Sequence, residues 1–141
     1  MAGRSNMRTI SLWITSAVLA ALYLMAGGSK LAGAEMHIEG FARWGYPQWF
    51  RLLVGTVEVM AAVLLLIPRV AFVGASLIVV LMAGATYTHL FRATGEEGSA
   101  AVTIVLLALA AIVAYARRPV TRRRSHASRG VVTRERHGRL G

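Results

Sequence analysis

The chain has 141 residues, 56% of them from the hydrophobic set, a mean hydropathy of +0.57 and a formal net charge of +10. This apolar fraction exceeds that of an ordinary soluble domain and leaves room for one domain only. Cysteine is absent, which excludes disulfides, thiol nucleophiles, CxxC redox chemistry and thiolate metal sites within the chain.

Four apolar stretches follow one another, at 10–28, 52–67, 70–90 and 100–116. A bilayer core about 30 Å thick needs about 20 mostly apolar residues per helix. The sequence therefore predicts an all-α integral membrane four-helix bundle, with spans near 10–29, 50–67, 70–91 and 99–116.

The first stretch follows Arg4 and Arg8 and leads to Ala32-Gly33-Ala34, the small-x-small form of a signal-peptide cleavage site. Its apolar run is longer than a typical signal core and Lys30 interrupts the approach to the site, so a retained span is expected. In the segment 31–51, Ala34, Ile38, Phe41 and Ala42 recur at helical spacing, with Glu35, His37, Glu39 and Arg43 on the other sides. This pattern predicts a short helix in the membrane interface, capping the bundle from outside. Trp44, Tyr46 and Trp49 continue it as an aromatic belt, and Gly45 with Pro47 supplies a turn.

The second span starts beside Pro47, a residue suited to a helix's first turn. Only Pro68 and Arg69 separate the second and third stretches, so these two helices must form a tight antiparallel hairpin. Ala17 with Ala21, Ala71 with Ala75, Gly84 with Thr88 and Ala110 with Ala114 are small-xxx-small pairs. They are read as packing within the bundle, with a homodimer contact as the alternative.

Lys and Arg accumulate on the cytoplasmic side of short loops. With the N-terminus inside, that side receives Arg4, Arg8, Arg69 and the nine arginines of 117–141, while the outer side receives Lys30, Arg43, Arg51 and Arg92 beside Glu35, Glu39, Glu96 and Glu97. Both termini are thus expected to be cytoplasmic: 1–9 as a short N-terminus, 10–116 as the membrane domain and 117–141 as a disordered Arg-rich tail. Such a tail is a topology anchor and is attracted to anionic lipids. It carries no aromatic or folded module for nucleic acid, so no nucleic-acid partner is expected.

Glu58 stands out, seven residues after Arg51 and about 10 Å into its helix. A carboxylate at that depth costs at least about 2.5 kcal/mol on insertion scales, so it must be paired, hydrated or protonated. Gly55 and Ala62 share its face, which directs it toward another helix. On the first helix Tyr23 and Lys30 repeat the seven-residue spacing of Arg51 and Glu58, while His89 and Thr86 lie near the outer end of the third. Together Tyr23, Lys30, Arg51, Glu58, Thr86 and His89 are expected to line a polar pocket in the outer half, with Glu58 and His89 as the candidate catalytic groups. The bland alternative makes Glu58 polar glue and the basic residues interface anchors. Glu58, His89 and His37 have no metal-site spacing, so no metal is expected.

Leu24-Met-Ala-Gly-Gly-Ser-Lys30-Leu, Gly45-Tyr-Pro47, Gly55-Thr-Val-Glu58, Leu65-Leu-Ile-Pro68-Arg69 and Gly84-Ala-Thr-Tyr-Thr-His89-Leu occur in this order. In these motifs the chain resembles the DoxX and DoxX-like family of small four-helix bacterial membrane proteins, over about residues 16–116. The arginine that often opens the first helix in that family has no clear equivalent before Tyr23. The resemblance implies a multi-pass protein of the bacterial inner membrane. Its function would be that of a quinone-linked oxidoreductase, or of a membrane subunit in a redox or oxidative-stress complex, with a quinone as candidate cofactor and a soluble redox enzyme as candidate partner. Tyr23, Lys30, Arg51 and Thr86 would then bind quinone or substrate. The alternatives are a non-enzymatic membrane scaffold and a small transporter-like subunit, because fold does not fix function.

The orientation is testable with single cysteines at Ser5, Thr94 and Ser128 and an impermeant thiol reagent on intact cells. Only the Thr94 position should label; labelling at Ser128 would reverse the topology.

Overall fold

The computed structural model describes residues 2–93 and 97–119. Among these residues the chain is entirely helical: α1 (Ala2–Leu31), α2 (Glu35–Arg43), α3 (Gln48–Leu66), α4 (Ala71–Phe91) and α5 (Glu97–Arg117). Four contain segments long and apolar enough to cross a membrane, Asn6–Leu31, Gln48–Leu66, Ala71–Phe91 and Ser99–Arg117. The first runs a few residues further at each end than hydropathy alone predicts. The tail from 120 onward, and the disorder expected of it, lie outside the described residues.

Helix α2 forms where the apolar spacing of 34–42 places it, and Phe41 is its buried anchor. Gly45 ends it at φ +78°, a left-handed conformation that favours glycine. The amide of Gly45 bonds to the Ala42 carbonyl and that of Tyr46 to the Phe41 carbonyl, closing the helix end in a Schellman-type cap. Pro47 follows as the N-cap of α3. At the other end of α3, Pro68 and Arg69 turn the chain within a few residues into α4, as the short connection requires.

The long helices pack as two pairs, α1 with α3 and α4 with α5; α3 also packs on α4, and α1 touches α5 only slightly. Leu19, Tyr23, Ala61, Ala62, Leu65, Ala75, Ile78, Met82, Ala110 and Val113 form the shared core. Small residues set the close crossings, though not all those the sequence suggests. Ala71, Ala75 and Ala110 are buried, whereas Ala17, Ala21 and Gly84 are exposed. The tightest approaches use glycines outside those pairs. A Cβ on Gly27 would lie 2.7 Å from the Gly55 carbonyl oxygen, and one on Gly74 only 2.5 Å from the Leu65 amide nitrogen.

At the hairpin end the bundle is clamped by polar groups as well. Arg117 donates to Ser16 Oγ at 3.1 Å, and its guanidinium lies 4.6 Å from the Trp13 ring centroid. This joins α5 to α1 where the two helices otherwise barely meet.

Gly27 and Gly28 offer a paired test, because a Cβ on Gly28 meets nothing within 4 Å. Gly27→Ala must push α1 off α3 and should cost about 1–3 kcal/mol. Gly28→Ala should be neutral or stabilise by up to about 1 kcal/mol through helix propensity. Unfolding in mild detergent measures both; equal effects would contradict the crossing.

Candidate functional site

The approach of Gly27 to Gly55 brings the C-terminal end of α1 and the N-terminal half of α3 together, and two charged side chains meet there. Lys30 Nζ lies 3.0 Å from Glu58 Oε2 and donates to Oε1 at 3.1 Å. Glu58 is only 4% exposed. Desolvating both charges is expensive, so each is tolerated because the other is present. The carboxylate therefore points inward as its face predicts, and its partner is Lys30 rather than His89.

Arg51 plays a different part from the one expected of it. It is buried, donates through Nη1 to the Lys30 backbone carbonyl and through Nε to Gln48 Oε1 at 2.9 Å. The carbonyl of Lys30 is among the last of α1, whose acceptors have no partner inside the helix. Arg51 thus caps α1 and fixes the backbone that carries Lys30.

The α1/α3 pair is separated from α4/α5 by a cavity of about 860 Å³, a volume within the range of about 300–1,000 Å³ that holds small molecules. Of the six residues predicted to line a pocket, Tyr23, Lys30, Glu58 and His89 line this one; Arg51 and Thr86 do not. Thr86 turns toward α5 and donates to Thr103 Oγ1 at 3.2 Å, while Thr103 donates to the Ala100 carbonyl. It fastens α4 to α5 instead.

Most of the remaining wall is apolar, including Leu53, Val54, Val57, Leu81, Met82 and Leu106. Two donors on it make no hydrogen bond: the hydroxyl of Tyr23, a residue 3% exposed, and the indole Nε1 of Trp44. A buried donor without an acceptor costs about 1–3 kcal/mol. Both residues line the cavity, and a ligand held there could bring the missing acceptors.

The segment 41–50 roofs the cavity. Phe41, Trp44, Tyr46 and Phe50 pack their rings at centroid distances of 5.0–6.3 Å. Four contacts then tie this roof to α4 and its C-cap, Arg92. Thr88 spends its hydroxyl hydrogen on the Gly84 carbonyl, so the Tyr46 hydroxyl donates to Thr88 Oγ1, at 3.0 Å. Arg92 donates to the Trp44 carbonyl at 3.0 Å with its guanidinium 5.0 Å from the Tyr46 ring centroid, and His89 meets the Trp44 ring edge-on at 5.1 Å. The roof spans the gap that helix packing leaves open.

His37, which the sequence offers only as an unmatched metal ligand, also lines the cavity. Ser29 directs its hydroxyl hydrogen to the Ala26 carbonyl, so His37 donates Nε2–H to Ser29 Oγ, at 2.9 Å. Burial, and then the charges of Lys30 and Arg51, hold its pKa below the ordinary histidine value. A neutral imidazole here adds no further positive charge beside Lys30. Among the described residues no group of three or more His, Cys, Asp or Glu side chains comes together as metal ligands would.

Comparison with known proteins places these features in a family. The family described as DoxX-like matches residues 14–113, which include α2, α3 and α4 whole, most of α1 and α5, and all the polar cavity groups named above. The uncharacterized protein YdgD of Bacillus subtilis (strain 168) is similar to the chain, 37% identical over 78 residues that cover 52% of this chain and 68% of that protein. No solved structure matches the chain.

Proposed function

We propose that this chain, which belongs to the DoxX-like family, is a quinone-binding membrane protein that serves a redox partner, with its binding site in the outer half of the bundle. The observation that carries this reading is the pair of unpartnered donors, Tyr23 Oη–H and Trp44 Nε1–H, on the wall of a mostly apolar cavity that also holds a buried ion pair. A quinone has the matching chemistry: a flat apolar ring bearing carbonyl acceptors.

A bound quinone would supply electron transfer coupled to proton transfer. The chain's own part is binding and proton handling. Tyr23 and Trp44 would each donate to a carbonyl oxygen, orienting the ring. Lys30 Nζ holds a proton and Glu58 accepts one, so the pair can give or take a proton at the edge of the site. His89, beneath Trp44, would link that edge toward the outer surface. The roof of α2 and the aromatic segment would exclude water from the ring. Arg51 and Thr86 act here as positioning residues, the first through the Lys30 backbone and the second through α5.

In the same reading 10–116 is the membrane domain, both termini are cytoplasmic, and α2 lies in the outer interface. The Arg-rich stretch 117–141 meets anionic lipid at the inner surface, where a soluble redox enzyme could also dock. The charge distribution along the sequence supports this orientation.

Extraction of protein purified in mild detergent tests the reading. A quinone should be recovered with the wild-type chain, and Tyr23→Phe, which deletes the hydroxyl and keeps the ring, should lower the yield about tenfold. No recovered quinone, together with no binding of added quinone, would overturn the proposal.

A further inference from the structure

The cavity wall has a gap on the side where α3 and α4 face the surroundings of the bundle. Leu53 on α3 and Val80, Gly84 and Tyr87 on α4 all line the cavity. They are also open on the outside of the bundle: Leu53 is 50% exposed, Val80 69% and Tyr87 56%. Gly84, between Val80 and Tyr87, is exposed as well, and a Cβ built on it meets no atom within 4 Å. A residue that borders an interior space, is exposed, and has nothing where its side chain would be marks a break in the wall.

The helix pair explains why the break lies at this height. Gly74 seats α4 backbone to backbone on Ala61 and Leu65 of α3, so the two helices touch beside the hairpin turn. Ten residues further on, about 15 Å along the axis, Gly84 borders the cavity and no atom of α3 lies within 4 Å of where its Cβ would be. Beyond it, the bond between Tyr46 and Thr88 closes the gap again from the roof. What remains is a window part-way along the bundle, rimmed by apolar and aromatic residues without a charge. It lies in two helices long and apolar enough to cross a membrane, so its outer side meets hydrocarbon.

We infer that this window between α3 and α4 passes the hydrocarbon tail of a bound ligand from the cavity into the bilayer. The inference rests on the quinone-binding reading and narrows it to one ligand class, a lipid-soluble molecule with a carbonyl-bearing head and a long tail. The route toward the outer water is blocked by the ring cluster and by Arg92, which seals Trp44 and Tyr46 onto α4. A tail too long for the cavity therefore leaves sideways. Selectivity follows, since a tail held in the window adds apolar contact that a bare head group cannot make.

Phylloquinone and menadione share a naphthoquinone head and differ in the tail. Their binding to the full chain in detergent micelles can be followed by quenching of Trp44, with Trp13→Phe and Trp49→Phe removing the other reporters. The wild type should bind phylloquinone more tightly than menadione. Gly84→Leu, which fills the window, should lower the ratio of the two affinities about tenfold, whereas Gly84→Ala should change it little. Leu53→Phe, from the opposite rim, provides a second block if Gly84→Leu does not fold, and should act in the same direction. Menadione binding as tight as phylloquinone, or a ratio unaltered in folded blocked variants, would overturn the window while leaving quinone binding in place. Failure of either quinone to bind the wild type would overturn both.

Discussion

The ion pair between Lys30 and Glu58 is the constraint around which the half of the bundle away from the hairpin turn is arranged. Neither charge is tolerable alone at that depth, so α1 and α3 must approach until Nζ and the carboxylate meet. Side chains larger than hydrogen at 27 and 55 would keep them apart, which gives both glycines a reason to be there. Arg51 adds to the same arrangement by binding the carbonyl of Lys30, fixing the backbone as well as the side chain. With α1 committed to α3, and α4 fastened to α5 through Thr86 and Thr103, the two pairs are each held together on their own side of the cavity. The cavity is what remains between them.

The two ends of the bundle solve different problems. Beside the hairpin turn the helices are drawn together by Gly74 against α3 and by Arg117 against Ser16 and Trp13. At the other end they are held apart at a fixed distance by the segment 41–50, which reaches from the α1/α3 side to Thr88, His89 and Arg92 of α4. A bundle pinched at one end and bridged at the other keeps an open interior without leaving its backbone unsatisfied. The charged residues of the cavity wall, Lys30 and Glu58, and its histidines, His37 and His89, lie in this bridged half.

Much of this was legible in the residues themselves. Hydropathy and helix length gave the long helices, Pro68-Arg69 gave the hairpin, the spacing of Ala34, Ile38, Phe41 and Ala42 gave α2, and Gly55 and Ala62 gave the inward face of Glu58. The pairing of that face was not legible. Spacing treats helices as upright rods of unknown rotation, so it puts Tyr23, Lys30 and His89 near one pocket without choosing a partner for Glu58. The Gly27–Gly55 crossing resolves the choice, and it escaped the small-xxx-small search because its two glycines lie on different helices. Thr86 and Thr88 show the same limit: two residues turn the side chain through about 200° of the helix, sending one to α5 and the other to the roof. His37 could have been found from its place on the polar side of a short helix that must fold back over Lys30.

Family membership agrees with the motif order along the chain, and those motifs fall where the helices cross or turn: Gly27 and Lys30, Gly45 to Pro47, Gly55 and Glu58, Pro68, and His89. Each has a structural task before any chemical one. The most direct test is therefore a double-mutant cycle on Lys30→Met and Glu58→Leu, followed by denaturing-detergent titration in bicelles. Each single change strands a buried charge and should cost about 3–5 kcal/mol, while the double variant, with no charge left to strand, should lose less than either. Losses that simply add would contradict the view that this ion pair organises the bundle.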